Sequence, residues 1–173
     1  MHKEGLFGGG GLQTFAERAI ERKWPEVLAI IAQGKRDAMS VSIVNNDGVQ
    51  VASRDHGTED RDKYDFSDIA LRKARLSART KMDTANVLRA PQLYLPGDPP
   101  FPGGVTRPMF HVGASGIEGD LDVRIADILA EGVQEEANEA FSKELVGDPD
   151  AIPADISATD EKPGDTDDQG HDQ

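Results

Sequence analysis

Apolar and polar positions along the chain repeat with two different periods. Ser40-Val41-Ser42-Ile43-Val44 alternates, which predicts a strand with Val41 and Ile43 on one face. Val49 to Ser53 alternates again, and Asn45-Asn46-Asp47-Gly48 between them signals a turn, because these residues tolerate positive φ. A β-hairpin over residues 40–53 is the clearest local element. Met109 to Ala114 is a third short apolar run and a further strand candidate.

Helical spacing covers four stretches. Thr14 to Lys23 is the first, and Pro25 to Gln33 the second, with Val27, Leu28, Ile30 and Ile31 expected inside and Gly34 as a left-handed C′ residue. Proline removes a donor and clashes with the preceding turn, so Trp24-Pro25 leaves open two short helices or one kinked helix. Phe66, Ile69, Ala70, Ala74, Ser77 and Ala78 follow steps of three and four, behind Asp65 or Ser67 as cap. Leu121, Ile125, Ile128 and Leu129 predict the last helix, capped by Asp120 and running past Gly132 to Phe141. Asp55 to Asp65 reads as a polar loop. So does Gln92 to Pro108, because proline cannot donate to a ladder.

The ends lack anything to bury. Gly8 to Gly11 loses much entropy on ordering, so residues 1–11 are expected to form a flexible arm. From Asp148 the chain is rich in Asp, Gly and Pro, and residues 147–173 are expected to be a disordered acidic tail. One domain over residues 12–146 remains, with no internal repeat.

Charge changes the picture little. The net charge is −13, and the segment from Asp148 holds nine acidic residues against one lysine, so the body is mildly acidic. No clustered positive surface points to nucleic acid. There are no cysteines, which rules out disulfides, thiolate catalysis and cysteine-ligated metals. No apolar run approaches the ~20 residues of a membrane span, and the N-terminus lacks the order of a secretory signal. The expected compartment is the cytoplasm.

Several segments fall in a fixed order along the chain: the hairpin from Ser40 to Arg54, the helix Asp68-Ile69-Ala70-Leu71-Arg72-Lys73-Ala74 ("D-x-A-x-x-K-A"), and Pro102-Gly103-Gly104-Val105 ("P-G-G-[VI]"). Gly113-Ala114-Ser115-Gly116 ("G-x-S-G") and Asp122 to Ala126 ("D-x-x-[IC]-A") follow. In this order they resemble the GlcG/HbpS-like family, which includes the C-terminal domain of some cobalamin adenosyltransferases of the PduO type. The resemblance spans roughly Val41 to Ala140 and implies an α+β fold: an antiparallel, PAS-like or profilin-like sheet flanked by helices. It further implies a small-ligand-binding protein, with haem as the cofactor to consider and a homo-oligomer as the assembly, serving in sensing or beside a catabolic pathway. Two departures stand out. Only Thr106 to His111 separate Val105 from Val112, too few for the family's second hairpin, so a strand is expected to be missing. The N-terminal helix also carries no histidine to serve as an axial ligand.

The candidate chemistry follows from these segments. His56, after the hairpin, and His111, in the apolar strand, are the candidate iron ligands; a solvated loop histidine and a structural histidine are the plainer readings. Arg72, Arg75 and Arg79 form a basic stripe, and with Lys73 they suit a ligand carboxylate or a solvated face. Gly113, Ser115 and Gly116 lead into a helix N-terminus, which attracts anions or simply makes a tight turn. Isoleucine at 117 breaks the "G-x-S-x-G" elbow of a serine hydrolase. Asp120, Asp122 and Asp127 read as a helix start and a solvated face. The alternative function is a small catabolic enzyme acting on an organic acid, with Lys73 or an arginine holding the carboxylate and a histidine or Asp122 moving the proton.

Overall fold

The computed structural model describes residues 9–147, with side chains from 10 to 144. In chain order it contains α1 (Gly9–Ile31), β1 (Met39–Asn45), β2 (Gln50–His56), α2 (Phe66–Thr80), the single turn α3 (Thr84–Val87), a 3-10 turn (Pro91–Leu93), β3 (Gly104–Thr106), β4 (Phe110–Ser115) and α4 (Gly119–Gly147). The strands form one antiparallel sheet in the order β2-β1-β4-β3. The fold is α+β, with helices on both faces.

Strand alternation sorts side chains between those faces. Met39, Val41 and Ile43 of β1, with Phe110, Val112 and Ala114 of β4, enter the main core shared with α1 and α4. The intervening positions turn to α2: Val44 packs on Ala74 and Ala78, and Ser40 Oγ meets Ser67 Oγ at 3.1 Å. Covered on both sides, β1 and β4 are buried almost throughout, whereas the edge strand β2 is half exposed. The β1–β2 turn is the expected one, with Gly48 at φ 76°.

α1 is one helix containing Pro25, not two. Leu12, Phe15, Ala16, Ala19, Ile20, Trp24 and Val27 keep one buried stripe across the proline, and packing on α4 holds the helix together. Pro25 itself lies on the solvent face. The helix begins at Gly9, inside the stretch read as a flexible arm, because the buried stripe reaches back to Leu12; residues 1–8 lie outside the described residues. α4 runs beyond Phe141 to Gly147, and the predicted tail from 148 onward is likewise outside them. Small residues at the seam (Ala16 and Ala19 against Ala126, Ala130 and Ala137) belong to the same core.

Two other expectations are corrected. Gly34 is not in the left-handed region; a Cβ there would fall 2.1 Å from Ile117 Cγ2, so close approach is what requires glycine. The second hairpin is also not missing. β3 and β4 pair through Gly104↔Gly113, Val105↔Val112 and Thr106↔His111. The motif residues on either side of the short connection serve as the strands, so only Arg107 to Met109 are needed to turn. Asp65, not Ser67, caps α2, accepting from Asp68 N at 2.9 Å.

Candidate functional site

Sheet order sets the loop before β3 beside the turn after β4. The backbone N–H of Ala114 donates to Gly103 O at 2.8 Å. Gly103 sits at φ 116°, and a Cβ on it would lie 2.5 Å from Ala114 O, 2.9 Å from Asp122 Cβ and 2.9 Å from Lys73 Nζ. Gly116, at φ 138°, similarly approaches Ala38 O. These two glycines satisfy a backbone geometry and a lack of room, both set by what they pack around.

That centre is an ion pair. Lys73 reaches in from α2 and donates to Ala114 O at 2.8 Å and to Asp122 Oδ2 at 3.2 Å. Asp122 Oδ1 accepts the N–H of Ile117 at 3.1 Å. The two residues are 1% and 5% exposed. Burial pushes the Lys73 ammonium below the usual lysine range, against the pull of Asp122. Burial likewise raises Asp122, opposed by the Lys73 charge and by the N–H groups of Ile117 and Gly116. Asp122, read from the sequence as part of a solvated face, is instead the buried partner of Lys73. At the first turn of α4, its i, i+3, i+4 neighbours Ile125 and Ala126 face the core, and it turns inward with them. The α2, Pro-Gly-Gly and Gly116–Asp122 motif segments therefore converge on one pair.

A cleft of about 290 Å³ opens over this pair. Tyr64, Phe66 and Ile69 form one wall, Phe101 and Pro102 another, and the turn from Ser115 to Gly119 closes the end. Tyr64 stacks on Phe66 at 5.8 Å between ring centres. Arg36 lies 5.5 Å from the Tyr64 ring centre and pairs with Asp60 at 3.3 Å. Tyr64 and Phe101 stand at the mouth, 45% and 55% exposed. The lysine-bearing helix and the glycine turn thus wall the same hollow.

Of the residues singled out from the sequence, Lys73, Ser115 and Gly116 line this cleft, and the others do not. Gly113 lies under α2, where a Cβ would fall 2.0 Å from Ala70 O. Arg72 faces a different hollow, with Arg75 and Arg79. His111 is fully buried in the sheet, with Nδ1 bonded to Thr106 Oγ1 at 2.8 Å and Nε2 to Asn46 Oδ1 at 2.9 Å. Burial, helped by the Lys81 charge, pushes its pKa down to about 4. His56 ends β2 opposite Met39, on the α1 side, with its ring edge-on to Trp24 at 6.2 Å. Among the described residues no three His, Cys, Asp or Glu side chains are grouped to hold a metal. Arg36, Tyr64, Phe66 and Phe101 of the cleft were not expected from the sequence. Tyr64 falls in the polar loop and Phe101 in the proline-rich one, and neither follows a periodic pattern.

No protein-family model matches the chain, and no curated protein gives a significant match. Solved structures do match. HbpS aligns over 69% of this chain and 86% of its own, at 23% identity and a TM-score of 0.53. The chain has the HbpS fold. A double mutant of Streptomyces reticuli HbpS aligns over 69% and 84% at 24% identity, TM-score 0.54. The Klebsiella pneumoniae protein ORFY, of the DUF336 family, aligns over 70% and 89% at 22% identity, TM-score 0.52. This fold is the one implied by the motif resemblance to the GlcG/HbpS-like family. No helix among the described residues is long and apolar enough to cross a membrane.

Proposed function

We propose that this chain is a GlcG/HbpS-like ligand-binding protein whose cleft over the Lys73–Asp122 pair holds a small molecule with a flat apolar body and a carboxylate. One observation carries the reading: aromatic side chains (Tyr64, Phe66, Phe101) and cationic ones (Arg36, Lys73) line the same hollow. The rings cover an apolar body. The Arg36 guanidinium suits an anionic end, provided the ligand keeps clear of Glu118 on the same lining.

Haem belongs to this ligand class through its propionates and apolar ring. Neither described histidine fits an axial role at this cleft: both nitrogens of His111 are bonded within the sheet, and His56 packs on the opposite face. Tyr64 is the lining side chain of a kind that holds haem iron. The homo-oligomer and the cytoplasmic setting belong to the same proposal.

Two measurements test it. Native mass spectrometry of untagged protein identifies what copurifies, and a carboxylate with a planar apolar portion is expected. Titration with anilinonaphthalenesulfonate, a flat apolar anion, is expected to saturate. Its affinity should drop about tenfold when Tyr64→Ala and Phe101→Ala are combined. Both side chains are half exposed, so the fold should survive their loss. Equal binding by wild type and double variant would place the ligand elsewhere. A Soret shift on haem addition would extend the class to haem, and Tyr64→Phe then reports whether the phenol touches iron.

A second reading has its own observation. A buried lysine shifted down and a carboxylate shifted up, both lining a cleft, is a pairing suited to proton transfer on an organic acid. Turnover of the copurified molecule, abolished by Asp122→Asn with binding retained, would make this protein an enzyme.

A further inference from the structure

The arginine stripe of α2 is not used by the cleft described above. Arg72, Arg75 and Arg79 are spaced by three and four and so share one side of the helix. They face a separate hollow of about 720 Å³, between α2, the β1–β2 turn at 46–50 and the loop at 96–98. The two hollows share no lining residue. Gly48 and Gly97, at φ 76° and 93°, bring backbone close to the guanidinium groups. A Cβ on Gly97 would lie 3.4 Å from Arg72 Nη2.

A donor inventory separates the three arginines. Arg79 is committed to holding the loop: Nη1 donates to Leu93 O at 3.0 Å, and Nη2 pairs closely with Asp98, which itself accepts from Leu95 N at 2.7 Å. Arg72 gives Nη1 to Asp68 at 3.1 Å, and no bond within the described residues takes its Nε or Nη2. Arg75 gives only Nε, to Gly48 O at 3.0 Å. Both of its terminal nitrogens remain, and no carboxylate among the described residues pairs with it. A guanidinium with unused donors in a fork geometry matches the oxygens of a carboxylate or phosphate. Opposing charge is present but mostly taken: Asp68 by Arg72 and Asp98 by Arg79. Asp47 on the rim has no cationic partner among the described residues, so an anion gains only where Arg72 and Arg75 outweigh it. Lys81, bonded to Asn46 Oδ1 at 3.3 Å, adds positive charge beside the same turn.

We propose that this hollow is a second ligand site, for a small, multiply charged oxyanion held by Arg72 and Arg75, with Arg79 positioning the loop that closes it. Phosphate-bearing and polycarboxylate molecules share this chemistry, and two probes distinguish them. Isothermal titration of the full chain at low salt with inorganic pyrophosphate and with citrate is expected to show saturable one-to-one binding by at least one. The stronger of the two identifies the oxyanion. Dissociation constants should rise about tenfold in Arg75→Gln and further in Arg72→Gln/Arg75→Gln, and rise with salt. They should not move in Arg36→Gln, which alters only the other cleft. Arg75→Lys keeps the charge without the fork and is expected to bind weakly as well. Arg75 is an exposed side chain with one internal bond, so thermal midpoints should stay near wild type. The proposal fails if neither probe saturates, if the double variant binds as wild type does, or if only Arg36→Gln weakens binding.

Discussion

Lys73 loses the hydration of its ammonium group on folding and gains two acceptors, Ala114 O and Asp122 Oδ2. Such a pair is weak as a source of stability but costly to break, because the surviving partner is left buried and charged. Its effect is therefore on geometry: it ties α2 to the end of β4 and the start of α4. His111 presents the opposite choice, since both ring nitrogens are bonded in the neutral form. Its pKa is depressed to about 4 in the fold, against 6.5 when unfolded. Between those values the unfolded chain binds more protons, so this contribution is complete above about pH 6.5 and is lost as pH falls toward 4. The loss can reach about 3 kcal/mol. Urea unfolding at pH 7 and pH 4.5 is expected to show this fall, and His111→Asn should flatten it. An equal pH dependence in the variant would mean that another group is responsible.

At the scale of elements, α2 lies so close to the sheet that Gly113 meets its backbone directly. Gly113→Ala would place a methyl 2.0 Å from Ala70 O and 2.8 Å from Ala74 N, both main-chain atoms. Helix or strand must then move, and a destabilisation of about 3 kcal/mol or more is expected in denaturant titration. Because the shift would separate Lys73 from Asp122, probe binding in the cleft should weaken too. A variant as stable as wild type would show that α2 rides higher than described. The same closeness explains why "G-x-S-G" reads ambiguously from sequence. Its first glycine makes room for a helix, its last makes a turn, and only Ser115 and Gly116 reach the cleft. α1 offers a comparable contrast, since local preference at Pro25 argues for a break while a continuous buried stripe overrides it.

Over the whole molecule, stability should be graded from the centre of the sheet outward. β1 and β4 are buried between two helical layers, while β2 presents an unpaired edge. Amide exchange is expected to be slowest at Val41, Ile43, Val112 and Ala114, and faster at Ser53 and in residues 57–65. Uniform protection across the four strands would contradict this layering. The two hollows lie on separate linings, so anion binding at Arg75 and occupancy of the aromatic cleft should prove additive unless α2 itself shifts.

By itself the sequence determined the first hairpin and the α2 and α4 faces, because each rests on periodicity or turn chemistry within a short window. The ordered motifs also pointed to the right fold. Tertiary structure alone decided that Lys73 and Asp122 are a pair, that β3 and β4 make a hairpin from motif residues, and that α1 runs through its proline. It also decided that His56 and His111 face away from the cleft. Each of these depends on which segments are neighbours across the sheet. An aspartate at a helix start has the same local pattern whether it faces water or a lysine 49 residues earlier, and packing is what separates the two.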